Sequence, residues 1–124
     1  TFPDAVQWNY ILTQADADAF MKQFSGFHDS ILETVRYCED GHSAAAYAVF
    51  ENCERSGATE LCFEGVQMMK IKSPALVCFR NISDASLILE NESVFWADAS
   101  LKKPDESYDG SFIRALCLKW RKIR

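Results

Sequence analysis

The stretch TQADADAFMKQFSGFHDS, residues 13–30, joins a helix signal to a stop signal and leads into the strands that follow. Thr13 is a favoured helix N-cap, and Asp16 meets the positive end of the helix dipole in the first turn. Apolar side chains then recur at helical spacing, at Ala17, Phe20, Met21 and Phe24. Gly26 permits the left-handed backbone that ends many helices. The pattern predicts a helix over residues 14–24 that packs one apolar stripe on a core.

Beyond this helix the sequence changes to strand-length segments separated by turn residues. Residues 59–64 alternate, with Thr59, Leu61 and Phe63 on one face and two glutamates on the other, as in a strand with one buried face. Further segments of suitable length and composition are 66–72, 76–80, 85–90, 93–98 and 111–121. Only Asn91 and Glu92 separate two of them, which favours a tight hairpin, although a slightly longer loop fits equally well. Such short connections make neighbouring strands antiparallel.

Residues 30–53 permit two interpretations. Ser30 and Glu33 match a helix capping box, whereas the alternation of Ile31, Val35 and Tyr37 fits one face of a strand. We favour a hairpin, because the segment contains a turn signal at its middle.

The fold expected for the whole chain, residues 1–124, is one α+β domain. An N-terminal helix packs on a mainly antiparallel sheet of about six to eight strands, either curved or sandwich-like.

The composition is that of a folded protein, with 48% apolar, 13% aromatic and 25% charged residues. No apolar run approaches the roughly 20 residues that cross a bilayer, and residues 1–4 lack the features of a signal peptide, so no membrane contact is expected. The cysteines are five, an odd number, and widely spaced: Cys38, Cys53, Cys62, Cys78 and Cys117. We expect mostly buried free thiols and a cytoplasmic location.

Charge is distributed unevenly along the chain. Residues 1–100 contain 6 Lys or Arg against 15 Asp or Glu, whereas residues 101–124 contain 7 against 3. The acidic body disfavours nucleic acid and suits a basic protein partner, since complementary potentials raise association rates. A homodimer formed through the last strand is a further possibility.

The segment Phe27-His28-Asp29-Ser30 is the candidate functional cluster, because it combines a base, an acid and a hydroxyl. Adjacent residues of an extended chain point to opposite faces, so His28 and Asp29 are not expected to pair as in a catalytic triad. A structural explanation competes with the functional one: Asp29 or Ser30 caps backbone donors at the bend, and His28 bonds the helix end.

Other chemistry has little support in the sequence. His42 lies in a turn, and the spacing of histidines and cysteines predicts no zinc site. Without a glycine-rich loop or an activated cysteine we expect no cofactor and assign no catalytic residue. Possible binding aromatics are Trp8, Tyr10, Trp96 and Trp120, although large aromatics of a small β-rich domain are more often core residues.

Several short motifs carry a resemblance to a known class of domains. They are Trp8-x-Tyr10, Phe24-x-Gly26, the cluster Phe27-His28-Asp29-Ser30 followed by Tyr37, Trp96 in a hairpin, and Lys119-Trp120-Arg121. The chain resembles small, largely uncharacterised bacterial domains with a Phe-His-Asp signature, some of which look like immunity proteins of toxin systems. The resemblance implies an intracellular α+β domain that binds a partner, and it assigns no role to the signature residues.

Two functional hypotheses follow from these features. The first is a non-enzymatic, immunity-protein-like domain that binds a protein. The alternative is a small-molecule-binding domain or hydrolase with a pocket around His28, in which His28 is the base and Asp29 or Glu33 lies nearby.

Overall fold

The computed structural model describes residues 7–52, 57–72, 82 and 84–123. Its elements are β1 (Asn9–Ile11), α1 (Gln14–Gln23), β2 (Ile31–Glu39), β3 (Ala44–Glu51), β4 (Ala58–Lys70), β5 (Ser86–Glu90), β6 (Ser93–Ala97) and β7 (Phe112–Lys122). The strands form one seven-stranded antiparallel sheet rather than two packed sheets. The α+β class and the antiparallel sheet are confirmed. The helix is not the first element, because β1 precedes it.

Helix α1 forms where the sequence predicts it, and its capping is local. Thr13 accepts a hydrogen bond from the Asp16 backbone N–H, and Asp16 Oδ2 accepts one from the Thr13 N–H, so a reciprocal capping box is present. Three more of the predictions are confirmed, namely the hairpin between β2 and β3 and the strands β6 and β7.

Two of the strand predictions need correction. Segments 59–64 and 66–72 belong to one strand, β4, because Gly65 adopts a left-handed φ of 68° without ending the strand. A register irregularity follows between Val66 and Met68. The segment predicted at 76–80 lies outside the described residues. The hairpin between β5 and β6 is the tight one: Asn91 and Glu92 have φ values of 52° and 61°, as a type I′ turn requires.

The sheet order is β2-β3-β4-β7-β6-β5, and β1 also pairs with β7. Strand β4 lies along one side of β7, where it pairs with residues from Phe112 to Lys122. The other side of β7 is shared, since β6 pairs with residues from Phe112 to Ala115 and β1 with residues from Leu118 to Trp120. Strand β7 therefore connects the two halves of the sheet.

Helix α1 packs on one face of this sheet through aromatic rings. The Phe27 ring is fully buried, and its centroid lies 5.5 Å from Phe20, 5.9 Å from Phe24 and 5.0 Å from Phe50 of β3. Trp120 of β7 lies 4.9 Å from Phe20. The rings join the helix to the middle of the sheet, and each pair at these distances stabilises the fold beyond simple burial of area.

A smaller cluster lies on the opposite face, at the β6 and β7 end of the sheet. Phe95, Ala97 and Phe112 are buried there beneath Leu101 and Tyr108 of the loop that follows β6. The remainder of that face, formed by β1 to β4 and the second half of β7, is not covered by any element among the described residues.

Gln14 closes the β5 edge of the sheet. Its side-chain amide donates to the Leu87 carbonyl at 3.1 Å, and its side-chain oxygen accepts from the Leu89 N–H at 2.8 Å. The carboxamide thus substitutes for a neighbouring strand, and it protects an edge that would otherwise be available for pairing.

The first prediction concerns Phe27. We expect Phe27→Ala to lower the free energy of unfolding by about 3–5 kcal/mol, because the substitution removes a buried ring and leaves a cavity. Urea unfolding measures the change, with Tyr37→Ala, an exposed aromatic of β2, as the control. Equal losses in the two variants would contradict the role of the Phe27 ring.

The second prediction concerns the β5 edge. Gln14→Ala should cost about 1 kcal/mol of stability and accelerate hydrogen exchange at the Leu89 amide, since a bonded donor becomes free. The control is Gln23→Ala, at the far end of the same helix. If the exchange rate at Leu89 is unchanged in Gln14→Ala, the carboxamide does not close the edge.

Candidate functional site

The chain between α1 and β2 has an unusual backbone. Ser25, Gly26, Phe27 and Asp29 have φ values of 54°, 64°, 60° and 59°, all in the left-handed region. Only glycine adopts this region without strain, and each other residue there costs about 1–3 kcal/mol unless its surroundings hold it in place. Burial of the Phe27 ring and hydrogen bonds to the Ile82 backbone hold the turn in place.

His28 and Asp29 lie on the surface of this turn. His28 Nε2 is 3.4 Å from Asp29 Oδ2, and both side chains are exposed. The expectation that adjacent residues point to opposite faces is wrong here, because the left-handed φ of Asp29 turns its carboxylate back toward the imidazole. The pair is a solvent-exposed ion pair when His28 is protonated, and such pairs contribute little to stability.

Phe27 and Ser30 point the other way, into the protein. Ser30 is fully buried, and its Oγ accepts a hydrogen bond of 3.2 Å from Asn52 Nδ2. Asn52 Oδ1 in turn accepts a hydrogen bond of 2.5 Å from the buried Thr59 hydroxyl. This network satisfies polar groups beneath the hairpin, as buried polar groups require. The structure therefore divides the four-residue cluster into two core residues and two surface residues.

Two of the clefts in the described part of the chain lie away from the cluster. One, of about 440 Å³, lies beside Leu12 and Leu116 and the other, of about 450 Å³, beside Glu106, and His28 lines neither of these two. Residues 7–52, 57–72, 82 and 84–123 contain no group of three His, Cys, Asp or Glu side chains placed to bind a metal ion. Their helices include none long and apolar enough to cross a membrane.

The uncovered part of the sheet, which we call the open face, presents a row of side chains across five strands. Their register places Arg36 opposite Tyr47, Tyr47 opposite Cys62, Cys62 opposite Lys119, and Lys119 opposite Tyr10. A second row contains Thr34, Val49, Glu60 and Arg121, and Trp8 lies at its end beside Arg121. Residues that are distant in sequence thus form one surface.

Cations lie over the aromatic rings of the open face. The Arg121 guanidinium carbon is 4.4 Å from the Trp8 ring centroid, and the Lys119 ammonium is 4.9 Å from it. Arg36 lies 4.5 Å from the Tyr47 ring. Each such contact contributes about 0.5–1 kcal/mol at an exposed site. The rings and cations therefore hold each other in fixed positions.

Two carboxylates of β4 complete the arrangement. Both Arg121 Nε and Nη2 contact Glu60 Oε1, at 2.8 Å and 2.7 Å, and the Glu60 side chain is only 13% exposed. Lys119 Nζ lies 3.5 Å from Glu64 Oε2. Partial burial works to lower the pKa of Lys119, but the nearby Glu64 carboxylate and Cys62 outweigh it and raise that pKa. Lys119 is a permanent cation at physiological pH.

The candidate binding aromatics divide between surface and core. Tyr10 is 53% exposed on the open face, and Trp8 is partly exposed beside it. Trp96 is buried in the main core, and its indole N–H finds no hydrogen-bond acceptor among the described residues. Trp120 packs against Phe20 and Phe24. Trp96 and Trp120 thus lie on the helix side of the sheet, away from Trp8 and Tyr10.

The cysteines correct a further expectation. Cys62 is buried, but Cys38 and Cys117 are exposed, while Cys53 and Cys78 lie outside the described residues. Burial raises the pKa of the Cys62 thiol, and its hydrogen bond with Tyr47 and the charge of Lys119 only partly oppose this. Burial therefore favours the protonated thiol of Cys62, which is the less nucleophilic form.

Comparison with known proteins gave no match: no family model, no curated protein and no solved structure is significantly similar to this chain.

The third prediction concerns the thiols. With iodoacetamide at pH 8, Cys38 and Cys117 should be alkylated readily and Cys62 much more slowly, because the thiolate is the reactive form and burial disfavours it. Peptide mapping by mass spectrometry measures each site, and labelling in urea, where the sites should become equivalent, is the control. Fast alkylation of Cys62 in the folded protein would show that the open face does not shield it.

Proposed function

We propose that this chain is a non-enzymatic protein-binding domain and that the open face is its contact surface. The observation that carries the proposal is the arrangement of Trp8, Tyr10 and Tyr47 with Arg36, Lys119 and Arg121 on a sheet face that no described element covers. Tyr, Trp and Arg are the residue types enriched at the centres of protein interfaces.

The fixed positions of these side chains favour binding. Long side chains normally lose conformational entropy when a partner orders them, at about 0.5–1.5 kcal/mol each. On the open face, Lys119 is already held by Glu64 and Trp8, and Arg121 by Glu60 and Trp8. A partner that covers this surface meets side chains that are ordered in advance, so less of that cost remains.

The position of the Phe-His-Asp residues favours a binding role over a hydrolytic one. A hydrolase of the kind considered from the sequence requires His28, an acid and a hydroxyl to converge on one pocket. Here Ser30 is buried while His28 and Asp29 are exposed on the surface. The local role of the segment is to turn the chain from helix to sheet.

The partner is a basic protein in this proposal, and the setting is the bacterial cytoplasm. The chain carries a net charge of −5, because the acidic excess of residues 1–100 is larger than the basic excess of residues 101–124. The net charge attracts a basic partner over distances of about one Debye length, roughly 8 Å at physiological salt. On the open face itself, Glu64 and Glu60 offset the charges of Lys119 and Arg121. The resemblance to immunity proteins of toxin systems supports the same class of partner.

The fourth prediction tests the open face directly. A photo-crosslinking amino acid at position 10 should join the chain to one discrete protein in a lysate of the cells that produce it. The matched control is position 37, because Tyr37 is 46% exposed, close to the 53% of Tyr10, but its register with Ala46 places it on the helix side of the sheet. No discrete product should form there.

With the crosslinked protein purified, Tyr10→Ala should weaken binding by at least about tenfold, as expected of an exposed aromatic at an interface centre. Tyr37→Ala should leave the affinity within about twofold, as expected outside the interface. Equal crosslinking from both positions, or from neither, would contradict the proposal. A product consisting of two copies of this chain would support the homodimer instead.

A further inference from the structure

The sheet contains a gap along one side of β7. Strand β6 pairs with β7 up to Ala115, and β1 begins to pair at Leu118. Leu116 and Cys117 therefore have no partner from the described strands on that side, although β4 pairs with β7 on the other. The gap is flanked by the end of β1, the start of α1 and the hairpin between β5 and β6.

An irregularity of the backbone turns Leu116 away from the core at this gap. Alternation along β7 would place every second residue on the core side, yet the buried residues Ala115 and Leu118 are three positions apart. The neighbouring strand β4 has the same interruption of its alternation. Its residues Phe63 and Val66 are also three positions apart, and both pack on the core. Between them lies Gly65, and a Cβ there would be only 2.8 Å from the Leu116 side chain. Glycine at position 65 thus provides the space that Leu116 occupies.

The gap opens into a cleft of about 440 Å³ with apolar walls. Leu12 is 72% exposed and Leu116 is 54% exposed, which is high for large apolar side chains. The other apolar residues that line the cleft are Ile11, Leu89 and Val94. Removal of the exposed Leu12 and Leu116 side chains from water by an apolar group of a partner would be favourable.

The charged residues that line this cleft are all acidic. Glu90 and Glu92, from the hairpin between β5 and β6, lie at its rim, and none of its twelve lining residues is Lys, Arg or His. Asp18 of α1 is adjacent, since its Oδ1 accepts a hydrogen bond from Gln14, which also lines the cleft. An apolar floor with an acidic rim complements a segment that has apolar side chains next to lysine or arginine.

We infer that this cleft receives an extended segment of the protein partner in which an apolar residue is flanked by basic residues. The inference rests on the proposed function and specifies the chemistry of the partner. The apolar residue of the segment packs between Leu12 and Leu116, and its basic neighbours lie beside Glu90 and Glu92. A protein segment fits better than an enclosed small molecule, because binding pockets cover most of a small ligand and these walls are largely exposed.

The fifth prediction tests the cleft with two short peptides as probes. One is acetyl-Lys-Leu-Ser-Leu-Lys-amide, and the other has glutamate in place of both lysines. In NMR titrations at low salt, the basic peptide should shift the amide signals of Leu12, Ser93 and Leu116, and it should bind about two- to tenfold more tightly than the acidic peptide. The expected ratio of affinities corresponds to the free energy that two solvent-exposed ion pairs contribute.

The double variant Glu90→Gln/Glu92→Gln should abolish the preference for the basic peptide. Its matched control is Glu33→Gln/Glu39→Gln, which makes the same change of charge on β2 at the opposite edge of the sheet and should retain the preference. Leu116→Ser should weaken both peptides. Unchanged dispersion of the remaining amide signals shows that each variant is folded.

Equal affinities of the two peptides, signal shifts confined to other surfaces, or an equal loss in both double variants would overturn the inference. Failure here is distinct from failure of the proposed function. If Tyr10 crosslinks to a partner and the cleft binds neither peptide, only the cleft inference is wrong. If the peptides bind as expected and position 10 gives no discrete product, the open face is not the contact surface.

Discussion

The packing of the Phe27 ring between the helix and strand β3 is the interaction on which the rest of the structure depends. The ring is fully buried and contacts Phe20 and Phe24 on one side and Phe50 on the other. To reach this position the chain adopts left-handed backbone at three successive residues, a conformation that L-residues avoid. Burial of the ring offsets this strain. The helix is thereby fixed on one face of the sheet.

In the described part of the chain, most of the opposite face of the sheet is formed by strand side chains that no other element covers. Antiparallel sheets commonly bury one face and expose the other, but here the exposed face is not simply polar. Trp8, Tyr10 and Tyr47 lie among charged side chains, and the lack of a side chain at Gly65 leaves room for Leu116, which is also exposed. The turn at Phe27 to Ser30 directs the helix to one face of the sheet, and among the described residues no element covers the open face.

The sequence predicts those features that depend on local contacts. Helix α1 is predicted because its cap and apolar stripe lie within a few residues of each other, and the β2 to β3 hairpin is predicted from alternation and a turn. Strand β1 has only three residues, too few to establish a period. The open face can be predicted only when the register of five strands is known. The contact between Trp8 and Arg121 therefore cannot be inferred from their spacing in the sequence. The pairing of His28 with Asp29 depends on a left-handed φ at a residue other than glycine.

Hydroxyl-radical footprinting of the protein alone and with its crosslinked partner tests most directly the claim that one face of the sheet is core and the other is contact surface. In the free protein, Tyr10 should be oxidised rapidly and Trp96 protected, in keeping with an exposed ring and a buried one. In the complex, Tyr10 should become protected while Tyr37 keeps its rate. Protection of Tyr37 with Tyr10 unchanged would contradict the account, because the partner would then cover the wrong face of the sheet.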